Sequence, residues 1–427
     1  MSLRELIEKL NENRELTTVD KKVSPKYEIA KRLQKTENAV RFKKVAGSKY
    51  EVVGNILGSR KRIAEGLGIP KKEIIDLMRE SISSKKKPET TDAGPVQEIV
   101  EEDPDLRDLP ILKHFEKDGG PYITSSIIVA EDSKGTQNLS FHRMQLLKKN
   151  KLAVRIVPRN LHKMFTEAET EGRPLKIAAI LGIGPALALA AATSLDYEVN
   201  EYEIAYALSK NFKLTECKTV PLKIPSSSEI ILEGELLAKE RVDEGPFTDI
   251  TGTYDAVRKQ PVFNVKCITH RRNPIYQALL PASKEHQLLM GLPREPIIFE
   301  KVEEVAKVKD VALTTGGCGW LHAVISIKKE NPKDVKRTID ATFKAHSSLK
   351  HLVVVDEDIN VHNHNEVEWA IATRFRGDRD SYIRSKERGS SLDPTADPET
   401  RIGCKTALDA TKNLDRPDKF ERAKIPD

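Results

Sequence analysis

The feature that most constrains this chain is the uncharged run from 177 to 195, IAAILGIGPALALAAATSL. Its length is close to the minimum for a bilayer span, so it must either cross a membrane or lie buried inside a folded domain. Gly182, Gly184 and Pro185 fall in its first half and small residues dominate it, so its hydrophobicity is modest. It reads better as a buried strand, IAAIL, a Gly-Ile-Gly turn, and a helix starting at Pro185, because proline is favoured at the first helical position. No membrane span is expected.

A buried strand and helix need a core around them, and 427 residues are enough for about three domains. The 71 Lys+Arg are offset by 65 Asp+Glu, so the net charge of +6 is small and well mixed. That balance argues against a basic RNA-associated or scaffold protein, despite lysine-rich stretches at 85–87 and 148–151. Aromatic residues, at 5%, leave few platforms for stacking nucleic-acid bases. Cys217, Cys267, Cys318 and Cys404 form no CxxC pair, so neither a disulfide framework nor a zinc knuckle is indicated. The opening residues, MSLRELIEKLNENREL, have the pattern of an amphipathic helix rather than an export signal. A cytoplasmic protein is expected.

Three regions follow from the patterning, and the fold class is α/β (α+β). In residues 1–103, helical spacing over Glu28–Lys35 and Lys61–Leu67 alternates with strand-like VRFKKVAG and YEVVGNIL, which describes a small α/β unit. The polar segment Ser81–Gln97 reads as a linker. Residues 104–296 are rich in strands such as YITSSIIVA, SEIILEGEL and PVFNVKCITH, predicting a barrel-like or sandwich core. Residues 297–427 alternate between strand and helix patterns, and the final stretch reads as an extended tail ending in a polar helix. No internal repeat is present.

No phosphate loop, dinucleotide fingerprint, HExxH or GxSxG occurs. Looser constellations remain. In Glu244-Gly-Pro-Phe-Thr-Asp249 a Gly-Pro turn separates two carboxylates, and it could fold both acids toward one pocket; it could equally be a hairpin turn with solvated acids. In Asn138-Leu-Ser-Phe-His-Arg143 strand alternation puts Asn138, Ser140 and His142 on one face and Arg143 on the other. Arg143 could pair with Glu244 and orient a substrate carboxylate, or make one surface ion pair. Glu201 opens a helix, either as an acidic helix start or as a hard oxygen ligand for Mg²⁺ or Mn²⁺. His362-Asn-His364, preceded by Asp356, Glu357 and Asp358, has a spacing that sometimes binds zinc and would suit a metal hydrolase. A strand, an acidic loop and a capped helix explain it more simply.

Eight ordered blocks, among them VVGNILGSRKRIAEGLGI, GGPYIT, NLSFHRMQ, GIGPALALAAATSL, EGPFTDITGTYD and KTALDATK, make the chain resemble the UbiD family of decarboxylases over nearly its whole length. The resemblance implies an N-terminal α/β domain, a central split β-barrel that binds prenylated FMN, and a C-terminal α/β domain used in oligomerisation. It implies a non-oxidative decarboxylase in which the flavin is the electron sink for a carbanion too unstable to form alone. By the family's pattern Asp249 is the proton donor, Glu244 holds Arg143, and Arg143 positions the substrate carboxylate. Asn138 and Glu201 match two protein ligands of the divalent metal, Mn²⁺ or Mg²⁺, that anchors the cofactor phosphate. Where the family has a histidine ligand this chain has Asn160, with His162 a possible substitute. Lys405 matches a late lysine that reaches the cofactor, and a potassium ion near the Ala-rich helix is usual.

Asp249 stands where many members carry glutamate. Such variants look most like the archaeal branch that converts trans-anhydromevalonate 5-phosphate to isopentenyl phosphate. The substrate's distal phosphate needs a cationic subsite, for which His142, Arg155, Arg159 and Lys163 are candidates. The alternative within the class is an aromatic-acid, hydroxybenzoate-type decarboxylase. The expected partners are an unsaturated carboxylic acid substrate, a flavin prenyltransferase that supplies the cofactor, and further copies of the chain in a homo-oligomer, with no nucleic acid.

Overall fold

The apolar run divides as its residues dictate, into the strand Leu175–Leu181, a turn, and the helix Pro185–Ala192. The turn needs Gly182: its φ is +78°, and a Cβ there would sit 2.3 Å from the Cβ of Glu229. Both elements are buried, the strand between neighbours on either side and the helix along its whole length to Ala191. Among the described residues no helix is long and apolar enough to cross a membrane.

The computed structural model describes residues 1–84, 86–420 and 422–423. The chain divides into two units, Met1–Leu289 and Met290–Asp427. In the first, a nine-stranded antiparallel sheet runs in the order Tyr122–Ile123, Met144–Lys148, Lys151–Val154, Arg258–His270, Ile230–Glu244, Leu175–Leu181, Ile127–Glu131 and Gln137–Phe141, with Ile99–Glu101 paired to Arg258–His270. Its central pair, of 15 and 13 residues, is longer than the sequence pattern suggests. The strand Ile230–Glu244 is buried to Leu236, passes through a register shift to an exposed stretch, and ends on Glu244, which is fully buried. Glu244 is therefore held by a strand rather than by the Gly-Pro turn that follows it.

A second sheet in this unit joins Leu16–Val19, Ala39–Phe42 and Glu51–Gly54 to the distant strand Ile275–Gln277. The helices Glu28–Gln34 and Arg60–Leu67 lie where the apolar spacing predicts them. The expected linker 81–97 is partly ordered structure: Glu89–Thr90 pairs with Lys213–Glu216, and Pro95–Gln97 forms a 3-10 turn. Its lack of hydrophobic period hides this, because a two-residue strand is fixed by backbone pairing alone. Lys85, the first of the lysine run, lies outside the described residues.

The second unit carries a five-stranded sheet in the order Lys307–Leu313, His322–Lys328, His351–Asp356, Ile402–Ala410 and Ser381–Arg388. The helices Glu295–Glu303, Asp334–Ala345 and His364–Arg374 complete it. The expected extended tail is corrected here. Ile402–Ala410 is an inner strand, parallel to His351–Asp356 and antiparallel to Ser381–Arg388. Lys405 and Asp409 share a face with the buried Ala407, and Lys405 is itself buried, so a strand carrying charge on an inward face passed for a tail. The chain then ends its described course with a short 3-10 helix, Pro417–Phe420, while Glu421 and residues 424–427 lie outside the described residues.

Candidate active site

Between the strands Gln137–Phe141 and Met144–Lys148 lie His142 and Arg143: Asn138, Ser140 and His142 are joined by hydrogen bonds along one side, and Arg143 instead meets Glu244 and Asp249. Glu244 takes the guanidinium side-on, with Nε 2.9 Å from Oε1 and Nη2 3.0 Å from Oε2. Asp249 accepts from Nη1 at 2.8 Å. The sequence-predicted Arg143, Glu244 and Asp249 are thus brought into direct contact. Burial works to lower the pKa of Arg143, but hydrogen bonding to Glu244 and the charges of Glu244, Asp249 and Asp255 outweigh it, so the guanidinium is held charged.

The loop between the two acids is fixed by its neighbours. Phe247 and Thr248 pair with Asp255 and Tyr254 as a short hairpin, and the Asp249 amide donates to the Thr253 carbonyl at 3.1 Å. The Gly245–Pro246 peptide is cis. The Gly245 amide and the Tyr122 hydroxyl both donate to Gln145 Oε1, at 3.1 and 3.0 Å. The buried Asp118 accepts from the Thr248 amide at 3.1 Å. Phe247 in turn packs its ring 4.5 Å from Arg143 Cζ, shielding one face of the cation.

Sequence reasoning missed several members of this cluster. Asp255 accepts from Arg143 Nη2 at 3.1 Å, binds Arg258 through its other oxygen, and lies 3.8 Å from Arg155 Nε. Burial alone would raise its pKa, yet the Arg258 hydrogen bond and the three arginine charges hold its carboxyl below the usual range. His286 is close enough to feel both Asp249 and Arg143, and burial lowers its pKa. The hairpin pairing was the only signal for Asp255, and nothing in the local sequence singles out His286.

The second cluster lies at the other end of the segment 138–143. Glu201, fully inside the first turn of the helix Glu201–Leu208, accepts from Asn138 Nδ2 at 2.9 Å and from the Leu139 amide at 3.0 Å. Burial pushes its carboxyl up to about 7, against the lowering effect of those hydrogen bonds. Among the described residues no cationic side chain pairs with it. The Asn138 amide turns its nitrogen to Glu201 and its oxygen to the Ser140 hydroxyl, which donates to it at 3.1 Å. A buried carboxylate short of positive charge suits a hard divalent cation, and Asn138 would join it through oxygen once its amide is reversed. No group of three or more His, Cys, Asp or Glu among the described residues could hold a metal, so such an ion would complete its shell with amide or backbone oxygens and outside ligands.

The other predicted residues are placed as follows. Asn160 opens the helix Asn160–Thr170, half-buried, and no hydrogen bond among the described residues joins it to Asn138 or Glu201; His162 is exposed on the same helix. Of the cationic candidates, His142 is buried, its pKa lowered to about 4 by that burial, and it bonds to Ser140 and the Arg155 carbonyl. Arg159 donates to Ser194 at 2.6 Å, and Lys163 stands 3.7 Å over the Tyr197 ring. Lys405 belongs to the second unit, where its ammonium donates to the Ser347 carbonyl at 2.6 Å and sits over Phe343; the other predicted site residues are all in the first unit. His362 pairs with Asp310 at 3.2 Å, while Asp356 and Asp358 hold Arg374, so the acidic loop and the histidine pair serve separate contacts. Two cavities, of about 420 and 430 Å³, are lined by none of these site residues.

Three family models of 3-octaprenyl-4-hydroxybenzoate carboxy-lyase match successive parts of the chain: the N-terminal domain over 7–82, the Rift-related domain over 87–284 and the C-terminal domain over 287–410. An anhydromevalonate phosphate decarboxylase from Methanosarcina mazei is 47% identical over 100% of both chains. One from Methanothermobacter thermautotrophicus is 41% identical over 98% of this chain and 99% of its own. Among solved structures, the UbiD-class enzyme HmfF from Pelotomaculum thermopropionicum in complex with FMN superposes with a TM-score of 0.97 at 37% identity, covering 100% of this chain and 98% of that one. An evolved dimeric form of HmfF in complex with prFMN gives a TM-score of 0.93, covering 100% and 97%.

Proposed function

The chain belongs to the UbiD family of carboxy-lyases, and from that membership we propose that it removes CO₂ from trans-anhydromevalonate 5-phosphate to give isopentenyl phosphate for isoprenoid synthesis by the mevalonate route. The observation that carries this reading is the joining of Glu244 and Asp249 on one buried arginine, Arg143, in a chain matched end to end by decarboxylases of that name. Arg143 binds and orients the substrate carboxylate. Glu244, forked on the guanidinium, fixes the direction of that arginine. As the bond to the carboxyl carbon breaks and CO₂ departs, Asp249, having taken up a proton from solvent, delivers it to the carbon left behind and is left as the carboxylate on Arg143. Phe247, over one face of Arg143, keeps water from that face.

Prenylated FMN, when bound, supplies the electron sink for the bonding pair. Asn138 and Glu201 would hold the Mn²⁺ or Mg²⁺ that anchors it, with the third ligand open between Asn160 and His162 and K⁺ as a second ion near the Ala-rich helix. In this reading residues 1–103, 104–296 and 297–427 are the N-terminal, cofactor-binding and oligomerising regions of a homo-oligomer, and a flavin prenyltransferase provides the cofactor. The test is co-expression with such a prenyltransferase, followed by assay of the phosphorylated acid beside hydroxybenzoates. Isopentenyl phosphate and CO₂ formed in equal amounts are expected; cofactor-loaded protein that leaves the phosphorylated acid intact overturns the substrate.

A further inference from the structure

Arg143 offers two edges on which a carboxylate can fork, and both are taken. Glu244 occupies the side edge, Nε and Nη2. The end edge, Nη1 and Nη2, is where another carboxylate would bind with two hydrogen bonds. It is capped by two separate acids, Asp249 at 2.8 Å on Nη1 and Asp255 at 3.1 Å on Nη2. A substrate carboxylate can engage this edge only by displacing one of them.

The two acids are not equally free to leave. The second oxygen of Asp249 accepts from the Ile250 amide of its own loop at 2.7 Å, and among the described residues Arg143 is its sole arginine or lysine partner. Release would strand a charge whose side chain is only 19% exposed. Asp255 has other support. Its Oδ1 binds Arg258 and accepts from the Ala256 amide at 2.9 Å, and Arg155 Nε already stands 3.8 Å from its Oδ2. Burial, together with the charges of Arg258 and Arg143, disfavours the charged form of the Arg155 guanidinium, so it gains from an approaching carboxylate.

Resting on the reading of Arg143 as the carboxylate-binding group, we infer that Asp255 is an exchangeable ligand of Arg143, which yields Nη2 to the substrate carboxylate and withdraws onto Arg258 and Arg155. Asp255 is then a positioning residue. Without substrate it keeps the end edge aligned and its charge compensated; with substrate it gives way while Asp249 keeps its place on Nη1. Arg258 sets how readily the exchange occurs, because it offers Asp255 its alternative partner.

The test uses the cofactor-loaded enzyme and the saturated analogue 3-methyl-5-phosphooxypentanoate, which has no double bond to react. Asp255→Asn removes the competing charge, so the analogue should bind tighter by about fivefold or more, and KM should fall while kcat also falls because Arg143 is less firmly aligned. Arg258→Gln removes the alternative partner, so binding should weaken by a similar factor, and that loss should vanish in the double variant. Damage to the fold would weaken binding in both. An unchanged constant in Asp255→Asn, or changes of the same sign in both single variants, overturns the exchange. If the unaltered enzyme binds no carboxylate at all, the reading of Arg143 falls with it; if all variants bind with one constant, only the exchange falls.

Discussion

Arg143 in the first unit and Arg374 in the second each gather more than one carboxylate, and they do it differently. Arg374, with a fully buried side chain, binds Asp356 at 2.8 Å and Asp358 at 2.7 Å. Lys412 adds its ammonium to Asp358 at 3.0 Å and its amide to Asp356 at 2.7 Å. Burial would raise the pKa of Asp358, but the hydrogen bonds of Arg374 and Lys412 hold it at about 2. This cluster ties the strand His351–Asp356 to the helix His364–Arg374, with Asp358 forked on the end edge of the guanidinium and Nε buried. Arg143 takes its acids from the end of the strand Ile230–Glu244, the turn of the hairpin that follows and that hairpin's second arm, and one of them, Asp249, stays partly open. A staple and a site can therefore share the same chemistry and differ in how the carboxylates are strung along the chain.

That contrast can be broken most sharply at the acids. Asp249→Asn should lower turnover by about a thousandfold, with thermal unfolding of the cofactor-loaded protein unchanged. Near-normal rates would remove Asp249 from proton delivery. Arg374→Gln should do the reverse: a loss of about 3 kcal/mol in urea unfolding, with turnover per folded molecule retained. If instead activity fell and stability held, the second cluster would have to be counted as functional.

Smaller effects sharpen the metal reading. Glu201→Gln should weaken Mn²⁺ retention at least about tenfold and release cofactor with it, measured by elemental analysis and absorbance. Because the carboxyl of Glu201 is raised to about 7 in the folded protein, from an ordinary 4.5, the metal-free fold binds the extra proton between those values. Its stability should then fall as pH rises from about 4.5 to about 7 and level off above, and added Mn²⁺ should restore most stability on the alkaline side. A flat profile in metal-free protein, or one equally steep in Glu201→Gln, would place the titration elsewhere. The smallest change is expected at the histidine pair: His362→Asn should shift stability by less than about 0.5 kcal/mol and leave metal content alone.

What was legible in the sequence depended on distance along the chain. The turn at Gly182 and the helix at Pro185 are local, so glycine, proline and apolar spacing announce them. Asn138, Arg143 and Glu201 sit in elements whose period is readable, and the structure brings Asn138 to Glu201 and Arg143 to Glu244 and Asp249. Asp255 was hidden because only the pairing of Phe247 with Asp255 carries it back to the site, and TGTYD on its own reads as a turn. The strand Ile402–Ala410 was hidden for a related reason: its parallel partner lies some fifty residues earlier, at His351–Asp356. Long-range backbone pairing leaves no mark in a local window.

The joining of Ile275–Gln277 to Glu51–Gly54 has a practical corollary for anyone dissecting the molecule. A piece cut from the amino end near residue 103 would leave Glu51–Gly54 with its outer backbone groups bare, inviting aggregation in place of folding. The opening segment is thus no detachable module. Grafting or swapping it requires carrying along a strip from far downstream, and engineered chimeras should place their junctions after residue 277.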